Sequence, residues 1–286
     1  MQTKEKWLII KTSLVIKKPT MRITTLGCNA SITGELRTTC YRVDDDILID
    51  AGSGAGDLSL AQSIAIDTVF LTHSHLDHCA FLPMLADAAG SFRDAPLTVY
   101  ALPETIAILR EHMFNGYLWP DYTMQPVPER PYIRFAPIRP GDTVELGGRF
   151  ITALPARHSV PCVGYRVDNR RASWVYSADT TYCPDFWQAL NHIDNLRYLL
   201  IENTFRNDNA IGAQRSGHTT ADILARGLRL LDHPVELFIV HMEAGYEEIT
   251  MREVLQTANE FKPQMLRRGH VFELQEMGAP FVPSTS

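Results

Sequence analysis

The run His73-Ser74-His75-Leu76-Asp77-His78 brings three imidazoles and a carboxylate together directly after an apolar segment, Val69–Leu71. In extended backbone alternate side chains point the same way, so His73 and His75 converge on one point. Asp77 and His78 sit where the next helix is expected to begin, and from there they reach a neighbouring point. Imidazole nitrogen and carboxylate oxygen are the donors that zinc accepts, and manganese and iron accept them too. The alternative is a polar loop with solvated histidines. In a chain with ten histidines, however, an HxHxDH string has a low false-positive risk. Cys79 follows His78 directly, but the residues beside it already make up a donor set.

This string resembles the metal-binding signature of the metallo-β-lactamase superfamily, and the likeness extends over roughly residues 21–270. It implies an α+β chain folded as an αββα sandwich, two mixed sheets with helices on the outer faces. Each further position that the family needs follows an apolar β-like run: His158 in ALPARHSVPCVGY, Asp179 in WVYSADTTY and His241 in LFIVHME. The resemblance implies His73, His75 and His158 on one divalent ion, Asp77, His78 and His241 on a second, and Asp179 bridging. Asp50, which ends ILID before Gly52, matches the acid that orients a ligand histidine. Zinc is the expected metal, with manganese and iron as alternatives. Two such ions bring the pKa of a shared water towards ~7 and stabilise the anion that forms, which suits phosphodiesters, lactones, thioesters and lactams alike. The donor set thus specifies a reaction type and leaves the substrate open.

Two segments narrow the substrate. IENTFRN…RSGHTTADILARGL, with Glu202 and His218, is similar to a segment of the phosphodiesterase branches, the tRNA 3′-end-processing endonucleases and the class II cyclic-nucleotide phosphodiesterases. A protonated His218 oriented by Glu202 can steady a phosphoryl oxygen or protonate a leaving alkoxide. The plainer role for His218 is a helix-start residue beside a Thr219 or Thr220 cap. The second segment, MFNGYLWPDYT at 113–123, resembles the cyclic-nucleotide enzymes alone. Its residues Asn115, Trp119 and Tyr122 are candidate substrate contacts, and Tyr117, Trp119 and Tyr122 can stack on a base for roughly 1–3 kcal/mol each. Core packing is the competing explanation for these aromatics. Two departures weaken a tRNA-processing reading: Ile201 stands where those enzymes have a histidine, and MEAGYEE rather than a basic loop follows His241.

The expectation is a hydrolase with Asp77, His218 and Glu202 as catalytic residues. It would act on 3′,5′-cyclic nucleotides or a related small phosphodiester through a metal-bridging hydroxide. The alternatives are a tRNA 3′-end-processing endonuclease and a lactone or thioester hydrolase of the same fold. A non-catalytic scaffold is disfavoured because all seven ligand positions are filled. The resembling phosphodiesterases suggest a homodimer. His112, His192, His233 and His270 fall in helical or turn contexts without partners nearby and are expected to be ordinary surface or capping residues.

The elements that must position this set are legible in outline. Strands are expected at Arg22–Leu26, Thr39–Val43, Ile47–Asp50 and Thr68–Thr72, and helices at Asp57–Ile66, Ala80–Ala89 and Pro103–Met113. A second series begins with strands at Ile133–Phe135, Thr143–Leu146, Phe150–Pro155, Val163–Val167 and Ala172–Ser177. Helices at Pro184–His192 and Thr220–Leu231 and strands at Tyr198–Glu202 and Leu237–His241 complete it. Two β-rich halves, each closed by helices, imply two sheets packed face to face. Met124–Pro140 carries five prolines and reads as a surface excursion between the halves.

Composition constrains the surroundings. The chain has 286 residues, 45% of them hydrophobic, and a net charge of −6, which disfavours broad binding of nucleic acid. Its five cysteines form no CxxC pair, as expected for reduced thiols in the cytoplasm. Residues 1–20 read as an N-terminal extension, and 21–286 as one domain. Lys11 splits the apolar stretch near the start, so neither a membrane span nor a secretory signal is expected.

Overall fold

A computed structural model of the protein describes residues 20–275. The expected extension at 1–20 therefore lies outside the described residues, Thr20 excepted. The strands form two seven-stranded sheets and a separate two-stranded hairpin. Spatial order in the first sheet is Val271–Leu274, Met21–Gly27, Cys40–Val43, Ile47–Ile49, Thr68–Phe70, Leu97–Ala101 and Ile133–Pro137. The second runs Gln264–Met265, Glu236–Val240, Leu196–Glu202, Ser173–Tyr176, Val163–Asp168, Arg149–Pro155 and Thr143–Leu146. Each sheet has an antiparallel half and a parallel half. The change falls at Ile47–Ile49 in the first and at Ser173–Tyr176 in the second.

The two-residue repeat of a strand sends neighbouring side chains to opposite faces, and here both faces are buried. Ile47, Ile49 and Phe70 point between the sheets, meeting Ile151, Tyr165, Trp174 and Val240 from the other side. Tyr41 and Trp174 touch edge to face with centroids 5.2 Å apart, as do Phe70 and Tyr165 at 5.5 Å. Leu48, Val69 and Val99 point outward under the helices Leu82–Gly90 and Pro103–His112. Val175, Leu199 and Ile239 do the same under Pro184–Asn191, Ala221–Leu228 and Glu247–Ala258. The result is the expected α+β sandwich, αββα. It also explains why the parallel strands read as unbroken apolar runs rather than alternating ones.

The division into halves needs correcting. Ile133–Pro137, expected to open the second half, pairs in parallel with Leu97–Ala101 at the edge of the first sheet. Edge placement is what tolerates its proline. Val271–Leu274 returns to the first sheet and pairs antiparallel with Met21–Gly27. Sequence reasoning passed over the strands Leu97–Ala101 and Val271–Leu274 and the helices Ala210–Ser216 and Glu247–Ala258. The latter buries Thr250, Met251, Val254 and Ala258, a stripe half made of small or polar side chains, so its apolar period is faint. All five cysteines are free and buried. Among the described residues no helix is long and apolar enough to cross a membrane.

Candidate metal centre

The candidate residues collect at the carboxyl ends of strands from both sheets. Beyond Thr68–Phe70 the chain passes through Thr72 and His73, and His75 then caps the one-turn helix Leu76–Cys79, which carries Asp77 and His78. From the second sheet, His158 follows Arg149–Pro155, Asp179 follows Ser173–Tyr176, and His241 follows Glu236–Val240. Three residues at these exits, Asp50, Ala178 and His241, have φ of 57°, 56° and 58°. That left-handed region costs a non-glycine residue of order 1–3 kcal/mol and persists where surrounding structure enforces it. Gly217 is held at φ 76°, and a Cβ there would lie 2.7 Å from Ser159 N and 2.9 Å from the His158 carbonyl carbon. Only glycine fits against His158 in this way.

Two donor groups result, each with its ligand atoms within 4.8 Å of one another: His73, His75, His158 and Asp179, and Asp77, His78, Asp179 and His241. Asp179 is common to both. Its Oδ2 lies 3.7 Å from His73 Nε2, 3.4 Å from His78 Nε2 and 3.8 Å from His158 Nε2, and its Oδ1 lies 3.4 Å from His241 Nε2. The other imidazole nitrogens are engaged elsewhere. His78 Nδ1 is 2.7 Å from Asp50 Oδ2, His158 Nδ1 is 3.0 Å from the Gly217 carbonyl, and His73 Nδ1 and His241 Nδ1 are 2.9 and 3.0 Å from the Thr72 and Thr204 hydroxyls. A histidine that donates through Nδ1 presents a bare Nε2 when neutral. Bare nitrogens facing each other, as His78 Nε2 and His241 Nε2 do at 3.3 Å, form no good hydrogen bond. His73 Nε2 and Asp179 Oδ1 are buried without any hydrogen-bond partner. Orphaned donors arranged in this way fit divalent metal ions held by nitrogen and carboxylate.

Beside this cluster lies the Glu202–His218 pair. Glu202 is fully buried, and its Oε1 accepts from His218 Nδ1 and Thr180 N, both at 2.9 Å. The His218 ring packs 4.8 Å from that of His158 and stacks on His241 at 5.4 Å. Burial acts against the charge on His218, but Glu202 prevails and lifts its pKa to about 9. Glu202 is held below the usual carboxylate range in return, with His218 outweighing burial. Within the cluster, burial pushes His73, His75 and His158 down. Burial would raise Asp77 and Asp179, yet His241 and His78 overcome it and hold both carboxyls well below their ordinary range.

A family model described as the beta-lactamase superfamily domain matches residues 45–242, a span that includes every donor named above. The chain belongs to the β-lactamase superfamily. Solved structures with the same fold include a metallo-beta-lactamase fold protein, YhfI, from Bacillus subtilis, at 20% identity and a TM-score of 0.69 over 90% of this chain and 100% of that one. Unliganded yeast PDE1 matches at 16% identity and a TM-score of 0.71, over 88% and 99% of the two chains. Among curated relatives, a probable 3′,5′-cyclic-nucleotide phosphodiesterase of Yersinia pestis is 28% identical over 185 residues, 59% of this chain and 52% of that protein. A ribonuclease Z of Methanopyrus kandleri is 29% identical over 125 residues, 43% of this chain and 39% of that protein. The chain therefore spans about half or less of the length of these curated relatives.

This member of the β-lactamase superfamily does not bring the expected substrate contacts to the cluster. The first-sheet donors lie beyond the carboxyl end of the parallel strand Thr68–Phe70, whereas the backbone of Tyr122 accepts from Ile133 N at the start of the parallel strand Ile133–Pro137. That is the opposite edge of the first sheet. Tyr122 is buried, packs against Phe114 and Tyr132 and bonds to Asp87. Trp119 packs against the same core. The Asn115 side chain closes a turn, accepting from the amides of Tyr117 and Leu118 at 2.9 Å. The expectation that Asn115, Trp119 and Tyr122 hold substrate is thus corrected, and core packing is the role of the two rings. Tyr122→Ala is expected to cost roughly 3–5 kcal/mol, the scale for losing a buried ring. Trp119→Ala should leave KM unchanged; chemical denaturation and steady-state kinetics check the two statements.

Thr72, Thr204 and Gly217 escaped sequence reasoning altogether. The four remaining histidines stand apart from the cluster: His192 bonds to the Gln188 carbonyl, His233 to Asp232, His270 packs on Phe272, and His112 lies beside Glu111.

Proposed function

We propose that this protein is a metal-dependent phosphodiesterase acting on a small phosphodiester, a 3′,5′-cyclic nucleotide in the first instance. The observation that carries the phosphodiesterase reading is His218, its Nδ1 held 2.9 Å from the buried Glu202, alongside two complete donor groups. His73, His75, His158 and Asp179 would hold one divalent ion, zinc by preference, and Asp77, His78, Asp179 and His241 a second. When bound, such ions supply a water that ionises near neutral pH and positive charge for the phosphoryl oxygens. The chain itself manages the leaving group. With Nδ1 spent on Glu202, His218 has Nε2–H for the substrate and passes that proton to the departing oxygen. Glu202 keeps the imidazole charged until it does so. Elemental analysis of metal-replete protein is expected to return two divalent ions per chain; one or none contradicts the two-group reading.

Three points support the cyclic nucleotide over tRNA: the net charge of −6, the longer match to a relative of that name, and the short connections of the fold. Among the described residues the longest link between successive elements is 113–125, too short to grip a tRNA body. Relatives named ribonuclease Z and ribonuclease BN keep tRNA 3′-end processing as the second reading. Cyclic AMP and a precursor tRNA offered to the same preparation decide between them. Faster conversion of cyclic AMP to the monophosphate is expected, whereas preferred tRNA cleavage, or lactone or thioester turnover far above either, overturns the assignment.

A further inference from the structure

We infer that Thr72 and Thr204 are positioning residues, each handing the orientation set by a buried carboxylate on to a metal-facing histidine. The same device occurs twice, once at each sheet. Thr72 donates its backbone N–H to Asp50 Oδ1 at 2.8 Å, and its hydroxyl lies 3.0 and 2.9 Å from the two Asp50 oxygens. Thr204 donates its N–H to Glu202 Oε2 at 3.0 Å, with its hydroxyl 2.9 Å from the same oxygen. Both threonines are buried, as are both carboxylates, and each threonine lies two residues beyond a parallel strand's end.

Proton counting fixes the direction of each relay. A carboxylate offers only acceptors, so the single hydroxyl proton of each threonine goes to it. The hydroxyl oxygen is then left to accept, and the atom it faces is a histidine Nδ1, on His73 at 2.9 Å and on His241 at 3.0 Å. Each ring is thereby held with its proton on Nδ1 and its bare Nε2 towards Asp179. Cys162 Sγ also faces His73 Nδ1, but at 3.7 Å it is the weaker partner. His218 Nδ1, 3.1 Å from the Thr204 hydroxyl, has Glu202 as its nearer acceptor. Asp50 and Glu202 each direct one further imidazole without an intermediary, His78 and His218. One carboxylate thus governs two rings in each sheet, and the hydroxyl is what doubles its reach.

The two relays serve different donor groups, since His73 belongs to one and His241 to the other. Removing the hydroxyl should therefore weaken different zinc equivalents. The test is a zinc titration against a chromophoric chelator for the parent protein and for T72V, T72S, T204V and T204S. Parent protein is expected to take up two zinc ions, and each valine variant to bind one of them about 10–100-fold more weakly, the usual loss when the partner of a ligand histidine is removed. Serine should restore the parent affinity at both positions. Where a valine chain fails to fold, the alanine variant takes its place. Folded valine or alanine variants with both affinities intact overturn the relay, and so do serine variants as weak as valine. The inference rests on the two-metal reading above. A parent protein that takes up no zinc in this titration overturns that reading itself, whereas full uptake by the hydroxyl-free variants overturns the relay alone.

Discussion

Asp77→Ala and His241→Ala are each expected to abolish hydrolysis of bis(p-nitrophenyl) phosphate by the zinc-loaded protein. Asp77 Oδ2 and His241 Nε2 lie 3.1 Å apart and belong to one donor group. Removing either leaves that group with three donors. The loss should exceed about 10³-fold, beyond the 10²–10³ that follows from deleting a single charge-stabilising donor. The fold should survive, because neither side chain belongs to the apolar clusters between and outside the sheets. Steady-state rates with zinc content measured on the same samples check this. Near-normal turnover by either folded variant contradicts the two-group mechanism.

His218→Ala should lower kcat on cyclic AMP by roughly 10²–10⁴, the scale for losing a positioned acid, while both zinc ions are retained. His218 stands outside both donor groups, which is why metal content and rate should separate. The leaving group offers a sharper check. A ribose alkoxide needs a proton to depart and p-nitrophenolate does not, so the loss on bis(p-nitrophenyl) phosphate should be much smaller. Equal losses on the two substrates would assign His218 to the phosphoryl oxygens instead, and loss of zinc would make it structural.

The sequence disclosed the parts of this site that are local. HxHxDH occupies six consecutive residues just beyond one strand, where the period of an extended chain already predicts convergence. His158, Asp179 and His241 each follow an apolar strand, and likeness to a family was needed to choose them from among ten histidines and many acids. The threonine relays had no such signal. Thr204 and His241 are 37 positions apart and Thr72 and Asp50 are 22 apart, and a hydroxyl amino acid at a strand end is commonplace. Sheet membership failed for a related reason. Ile133–Phe135 is recognisable as a strand, but its partner is chosen by packing across the whole chain, and Val271–Leu274 escaped sequence reasoning as a strand altogether. The aromatic segment at 113–123 misled because Tyr122 and Trp119 are apolar enough to be core and flat enough to stack on a base. Only its position at the far edge of the first sheet separates the two uses.

The pairing of Val271–Leu274 with Met21–Gly27 has a consequence for biosynthesis. On a ribosome Met21–Gly27 emerges before the other described strands, yet the neighbour that covers its outer edge is made last among them. Throughout elongation that edge exposes unpaired amides and carbonyls, the template on which nascent chains associate. The cluster is subject to the same delay, since His73 is translated long before His241. Apolar burial between the two sheets must therefore organise the early chain, and the full set of donors becomes available only once His241 has been made.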